Sequence, residues 1–317
     1  MKTKVTMLFA ALSGTVFADM GSIPFKKGVL ISEPAQDAII AWNGKEELLY
    51  LQTTLGASEP VKVLEVMPLP SRPTVVAGDE AVFKRCATLL PRVAVDDTAG
   101  GGADPFGGAP EPVGRVVERK LIGAHDIRVV ELLGVKEFTG WITREIARDG
   151  DAVTVPDPLL NVIGQYAEDG YRWFVFDVVD LAKEHSKKTP LQIRFATDKL
   201  YYPMRITRTE KGRTTVSLSI LTNVLFNKED CVGIPRSSIK MGARPIAISG
   251  EGIRWIDPPI FDLLGRPKEA HLRSWSITGD IDSFDKDLLI RNPASPGKSG
   301  HAMEGKGGGI PAPKSNK

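Results

Sequence analysis

Most of the patterns that announce a function are scarce or missing in this chain. Its 317 residues include two cysteines, Cys86 and Cys231, which leave at most one candidate bridge. The four histidines, His125, His185, His271 and His301, are scattered, and none shares a zinc-ligand spacing with another histidine or a cysteine. Only His125 has a carboxylate beside it, Asp126; neighbours in a strand point to opposite faces, which argues against a catalytic pair. Charge of neither sign prevails, with 41 basic against 39 acidic residues. Such a chain has no global field to draw it to nucleic acid or to an anionic membrane. Beyond the first eighteen residues, no stretch approaches the roughly 20 uncharged apolar residues of a membrane-spanning helix. The richest run, Trp173–Leu181, is interrupted by Asp177 and Asp180.

Catalytic signatures are missing as well. A nucleophile elbow needs G-x-S-x-G, and the nearest string, Ile248-Ser249-Gly250-Glu251-Gly252, has the wrong frame. Gly297-Lys298-Ser299 lacks the earlier glycine of a phosphate-binding loop. The glycine- and proline-rich stretch 97–114 lacks that spacing too and reads as a flexible surface loop. No residue is therefore assigned a catalytic or cofactor-binding role.

What is present begins with a secretory signal over residues 1–18. Lys2 and Lys4 form a basic start, a short apolar core follows, and Val16-Phe17-Ala18 is a small-x-Ala cleavage site. Cutting between Ala18 and Asp19 would leave a mature chain of 39 basic and 39 acidic residues, expected to be periplasmic or secreted.

The chain is organised around residues 37–54, where two apolar runs flank Asn43-Gly44. That dipeptide between hydrophobic runs signals a hairpin, with a type I′ turn as the expectation. Neither run alternates strictly, which places the hairpin mid-sheet with both faces covered. Further strands are expected at 28–31, 61–66, 113–120, 126–133, 173–179, 191–195, 204–208 and 216–221. The last alternates apolar and hydroxyl residues, so one face is wet. Helices are expected from Asp79, which caps a stripe of Val82, Phe83 and Cys86, over 135–148, and from Asp157-Pro158 to Gly170. Pro258-Pro259 reads as a breaker. About nine strands joined mainly as hairpins, with three helices and no regular βαβ rhythm, predict an α+β fold built on a mainly antiparallel sheet. The domain plan is a main domain over 19–226, a smaller C-terminal layer over 227–291 packed on it, and a disordered tail over 292–317.

Two candidate sites remain. In an oxidising compartment Cys86 and Cys231 form a candidate disulfide, worth about 4–5 kcal/mol of loop entropy; alternatively they are two unpaired thiols, with Cys86 in the core. Asp280, Asp282, Asp285 and Asp287, within GDIDSFDKD, are dense enough for calcium. The EF-hand pattern fails there, and the alternative is a solvated acidic turn capping a helix near Phe284.

Taken in order, EPAQDAIIAWNGKEELLYLQT (33–53), VKVLEVMPLPSRP (61–73), IGAHDIRVVELL (122–133), LLNVIGQYAEDGYRWFVFDVVDL (159–181) and TPLQIRFATDKLYYPMRI (189–206) resemble the bacterial exported family called domain of unknown function 2330. The resemblance implies an exported or envelope-associated globular protein and no known reaction. The leading expectation is a non-enzymatic binding or structural protein of the cell envelope, with an envelope protein as partner. The alternative is a hydrolase whose residues converge only in three dimensions.

Overall fold

The expected hairpin forms the middle of the larger sheet. β2 (Ile31–Trp42) and β3 (Glu46–Ala57) pair antiparallel, with Ala38 opposite Leu51 and Trp42 opposite Glu47. The register leaves Gly44-Lys45 as a two-residue loop. Positive φ falls on Gly44 alone, at 94°, and not on Asn43. This is the demand of a type II′ loop, not of the expected type I′. Asn43 contributes differently: its Oδ1 accepts from the Lys45 and Glu46 amides, both at 2.9 Å. The computed structural model describes residues 21–26, 28–90, 115–134, 138, 140–142, 155–209, 213–242 and 244–293. The signal with its Ala18–Asp19 cut, the loop 97–114 and the tail beyond residue 293 lie outside the described residues.

On one side of the hairpin β12 (Arg213–Thr222) runs parallel to β2, and β15 (Glu269–Asp280) pairs antiparallel with β12. Short β13 (Ile239–Met241) and β14 (Ile246–Ser249) both pair with β15. On the other side lie β10 (Leu191–Ala196) and β5 (Thr74–Ala77), while β9 (Ser186–Lys187) pairs with the end of β3. A second sheet has five strands, ordered β1 (Gly21–Pro24), β4 (Val61–Leu69), β8 (Trp173–Leu181), β7 (His125–Glu131) and β6 (Arg115–Ile122). A small third sheet joins β11 (Leu200–Tyr202) to β16 (Leu288–Ile290). Among the described strands β12–β2 is the only parallel pair. The fold is therefore α+β and dominated by antiparallel sheet, as the hairpin-rich sequence predicts.

The two large sheets face each other, and helices cover their outer faces. Between the sheets, Ile40, Leu49 and Leu218 meet Met67, Val129 and Val175. Outside the five-stranded sheet, α2 (Asp157–Glu168) lays Leu159, Ile163 and Tyr166 on Leu64, Phe174 and Phe176, joined by helical residues Phe138, Trp141 and Ile142. Outside the nine-stranded sheet, α1 (Glu80–Leu89), α3 (Gly250–Ile256) and α4 (Pro258–Leu263) cover Ile39, Leu48, Tyr50 and Leu221. Four layers explain the sequence pattern. A strand with apolar neighbours on both faces has no wet side to alternate with, hence the continuous runs in β2, β3 and β8.

Residues 227–291, expected as a separate smaller layer, enter the nine-stranded sheet, since β15 pairs with β12 over ten positions. They also supply α3 and α4. Pro258-Pro259, read as a breaker, instead opens α4: Asp257 caps it by accepting from the Ile260 amide at 3.1 Å, and Pro258 occupies a first-turn position that needs no amide donor. The helix expected near Phe284 is a single 3-10 turn, Ile281–Ser283.

Candidate functional site

The charged residues that matter stand where strands are otherwise apolar. On the inner face of the five-stranded sheet, Glu65 of β4 and Asp177 of β8 are direct partners in register. Both are buried. Like charges side by side repel, so cations must face them. His125, first residue of β7, places Nδ1 2.5 Å from the Asp177 carboxylate. Its Nε2 lies 3.0 Å from the backbone carbonyl of Thr189. Lys188 is the second cation: its amide donates to the Thr53 carbonyl and its Nζ to the Asp180 carbonyl, each at 3.0 Å.

Both ring nitrogens of His125 thus meet acceptors, and only the doubly protonated imidazolium can donate to both. Burial alone would lower its pKa, but the Asp177 and Glu65 charges and the Thr189 carbonyl outweigh burial and hold it above the ordinary histidine value. Burial pushes the Lys188 ammonium down, against the pull of Glu65, Asp177 and Asp180. Asp126, the sequence neighbour of His125, faces away and pairs with Arg119 at 2.6 Å and Arg128 at 2.7 Å. The pair visible in the sequence is therefore not the pair in the fold. A readable signal for the true partners did exist, in Glu65 and Asp177, charges flanked by apolar residues inside the buried strands β4 and β8.

Three smaller polar anchors tie other layers. Asp287 accepts from the Tyr166 hydroxyl at 2.6 Å and from the Met204 and Arg205 amides at 3.0 and 2.9 Å. The Arg205 guanidinium lies 3.9 Å from the Tyr166 ring centroid and pairs with Asp169 at 2.6 Å. Asp257, besides capping α4, accepts from the Tyr50 hydroxyl at 2.5 Å, which joins helix layer to sheet. Glu47 sits in the inter-sheet core and accepts from the Tyr201 amide at 2.8 Å. Burial raises the pKa of Glu47, Asp257 and Asp287 despite these bonds.

The candidate residues from the sequence are not brought together. Asp280, Asp282 and Asp285 are exposed, while Asp287 turns inward to the anchor just described. Among the described residues no group of three or more His, Cys, Asp or Glu side chains is placed to hold a metal. Cys86 and Cys231 are free, buried and on opposite sides of the nine-stranded sheet, Cys86 on the inner face of α1 and Cys231 in the inter-sheet core. The disulfide expectation is corrected accordingly: a sheet stands between the two sulfurs. Burial pushes the Cys86 thiol up to about 12 and raises that of Cys231, so neither is poised as a thiolate. No helix among the described residues is long and apolar enough to cross a membrane.

A family model described as an uncharacterized protein conserved in bacteria, DUF2330, matches residues 22–249. The chain belongs to that family. The DUF2330 match takes in both sheets' central strands and every residue of the His125 quartet, and it ends at the last residue of β14. No curated protein matches the chain. Among solved structures it is similar to a mutated baculovirus P35 after caspase cleavage, at 10% identity and a TM-score of 0.35, covering 81% of this chain and 93% of that one. The caspase-8/P35 complex gives 11% identity and a TM-score of 0.33, covering 81% and 90%. Likeness of this degree carries nothing about function.

Proposed function

We propose that this DUF2330 protein is an exported, non-enzymatic binding or structural protein of the cell envelope, with an envelope protein as partner. The observation that carries the reading is the engagement of both His125 nitrogens. A hydrolase built around this histidine would need one ring nitrogen free to take a proton from a hydroxyl or thiol. Here Nδ1 faces a carboxylate and Nε2 a backbone carbonyl. The buried thiols are held protonated. The buried charges are used to tie layer to layer, which suits a rigid scaffold that presents its loops. Export rests on the basic, apolar and small-residue order of residues 1–18.

Two measurements test the reading. Full-length chain expressed in an exporting bacterial host is expected to be recovered with an intact mass beginning at Asp19; recovery solely as full-length cytoplasmic chain overturns export. Purified protein is expected to resist labelling by fluorophosphonate and thiol-directed activity probes while folded. Stoichiometric labelling of one residue would establish the hydrolase alternative.

A further inference from the structure

The segment from residue 182 to residue 190 is the strap that carries the chain from β8 in one sheet to β10 in the other. Its contacts come from both sheets. Thr54 and Leu55 of β3 pair with Lys187 and Ser186. The Thr53 carbonyl takes the Lys188 amide, and the Ala57 amide donates to the Ala182 carbonyl. From the five-stranded sheet, His125 holds the Thr189 carbonyl. The β6–β7 turn also lies close, since a Cβ on Gly123 would meet the Thr189 hydroxyl at 2.8 Å. We infer that the buried quartet of His125, Asp177, Glu65 and Lys188 is a pH-operated latch between the sheets, closed while His125 is protonated and loosened when it is not, with the strap as the element released.

The chemistry follows from the count of protons. An imidazolium has two N–H groups and satisfies two acceptors; a neutral imidazole has one. On deprotonation either the Asp177 carboxylate or the Thr189 carbonyl faces a bare nitrogen lone pair. The carboxylate is the stronger acceptor for the remaining proton, so the Thr189 contact is the one that breaks. The quartet also loses one positive charge beside its two buried carboxyl groups. The groups that act on the ring come from the neighbouring strands and the strap, Asp177 on β8, Glu65 on β4 and the Thr189 carbonyl, while Lys188 on the strap is pulled by the same two carboxyl groups and by Asp180. The sign is fixed by the raised pKa of His125. The latch is fully closed below the unfolded-state value of about 6.5 and opens as pH rises through the higher folded-state value. The inference stands on this geometry and is independent of the proposed export.

Amide exchange of the full chain across about pH 5 to 9, corrected for intrinsic exchange, reads the latch directly. Protection of residues 182–190 is expected to fall about tenfold or more as His125 loses its proton, while amides of β12 and β15 hold theirs. NMR titration of the His125 imidazole should show it titrating above the ordinary histidine value. In His125→Gln the strap is expected to show the low protection of the wild type at high pH, at every pH. Strap protection that tracks β12 and β15 across the range overturns the latch. So does His125 titrating at or below the ordinary histidine value, and both tests need the wild type alone if His125→Gln fails to fold.

Discussion

Glu47 is a carboxyl group placed where a carboxylate is costly. It lies between the sheets, with the Tyr201 amide facing one of its oxygens, while the other oxygen has no hydrogen-bond partner among the described residues. Burial therefore holds its pKa well above the ordinary glutamate value. For an acid shifted in this direction, stability is fully present below the unfolded pKa and is lost as pH rises through the folded one. Glu47→Gln keeps an acceptor for Tyr201 and removes the titration. Urea midpoints of the variant should therefore fall less steeply than those of the wild type from about pH 5 to about pH 8. Parallel slopes for the two would place the ionisation elsewhere. Gly44 offers a second test at this scale. Its φ of 94° lies in the region that penalises a β-carbon, and an added Cβ would meet Asn292 Nδ2 at 3.2 Å. Gly44→Val should cost about 1–3 kcal/mol, read as a lowered urea midpoint at unchanged m-value. An unshifted midpoint would mean the loop tolerates negative φ at that position. That a turn at or beside Asn43-Gly44 joins the two runs was legible in the sequence. Which turn residue takes positive φ was not, because that depends on the register of β2 against β3.

At the scale of elements, legibility followed the local signals. Asp79 before an apolar stripe correctly gave α1, whose side chain accepts from the Ala81 amide at 2.8 Å. Uninterrupted apolar runs correctly gave strands covered on both faces. The helices α3 and α4 escaped because Pro258-Pro259 does both jobs at once, ending α3 and, with Asp257 as cap, opening α4. Partnership was not legible at all: His125 and Asp177 are 52 residues apart, and nothing local names one to the other. The same holds for Asp287, which the sequence places in an acidic turn and the fold places under Tyr166 and the Met204–Arg205 backbone. Asp287→Ala would leave three buried donors without their acceptor, and the loss should be about 3–5 kcal/mol. Asp287→Asn keeps one acceptor oxygen and should cost about 1–3 kcal/mol. Urea unfolding of both variants separates an anchor from a solvated turn, since equal, near-zero effects would be expected of the latter.

For the whole molecule, the closing element is the short strand β16. It pairs with β11 on one side, while on the other the Val232 amide donates to the Leu289 carbonyl at 2.9 Å and Cys231 forms a bridge with Ile290. Gly233 passes so close that a Cβ on it would lie 1.6 Å from the Asp287 carbonyl oxygen. Leu288 and Ile290 are fully buried in the inter-sheet core, and Asp287 anchors α2 from the same segment. The last residues to enter the core are therefore among the last before the Gly-, Pro- and Lys-rich tail. Two truncations test this division. A chain ending at Pro293 retains β16 and should melt within about 2 °C of the full protein, because the removed sequence has little apolar surface to bury. A chain ending at Lys286 loses Asp287, Leu288 and Ile290 together. Two buried side chains of that size contribute about 1.5–3 kcal/mol each, and the orphaned donors of the Asp287 site add to the loss. Since a domain's net stability is about 5–15 kcal/mol, the shorter chain should show no cooperative melting transition. A cooperative transition in the shorter chain at the full-length midpoint would mean that the two sheets close without β16.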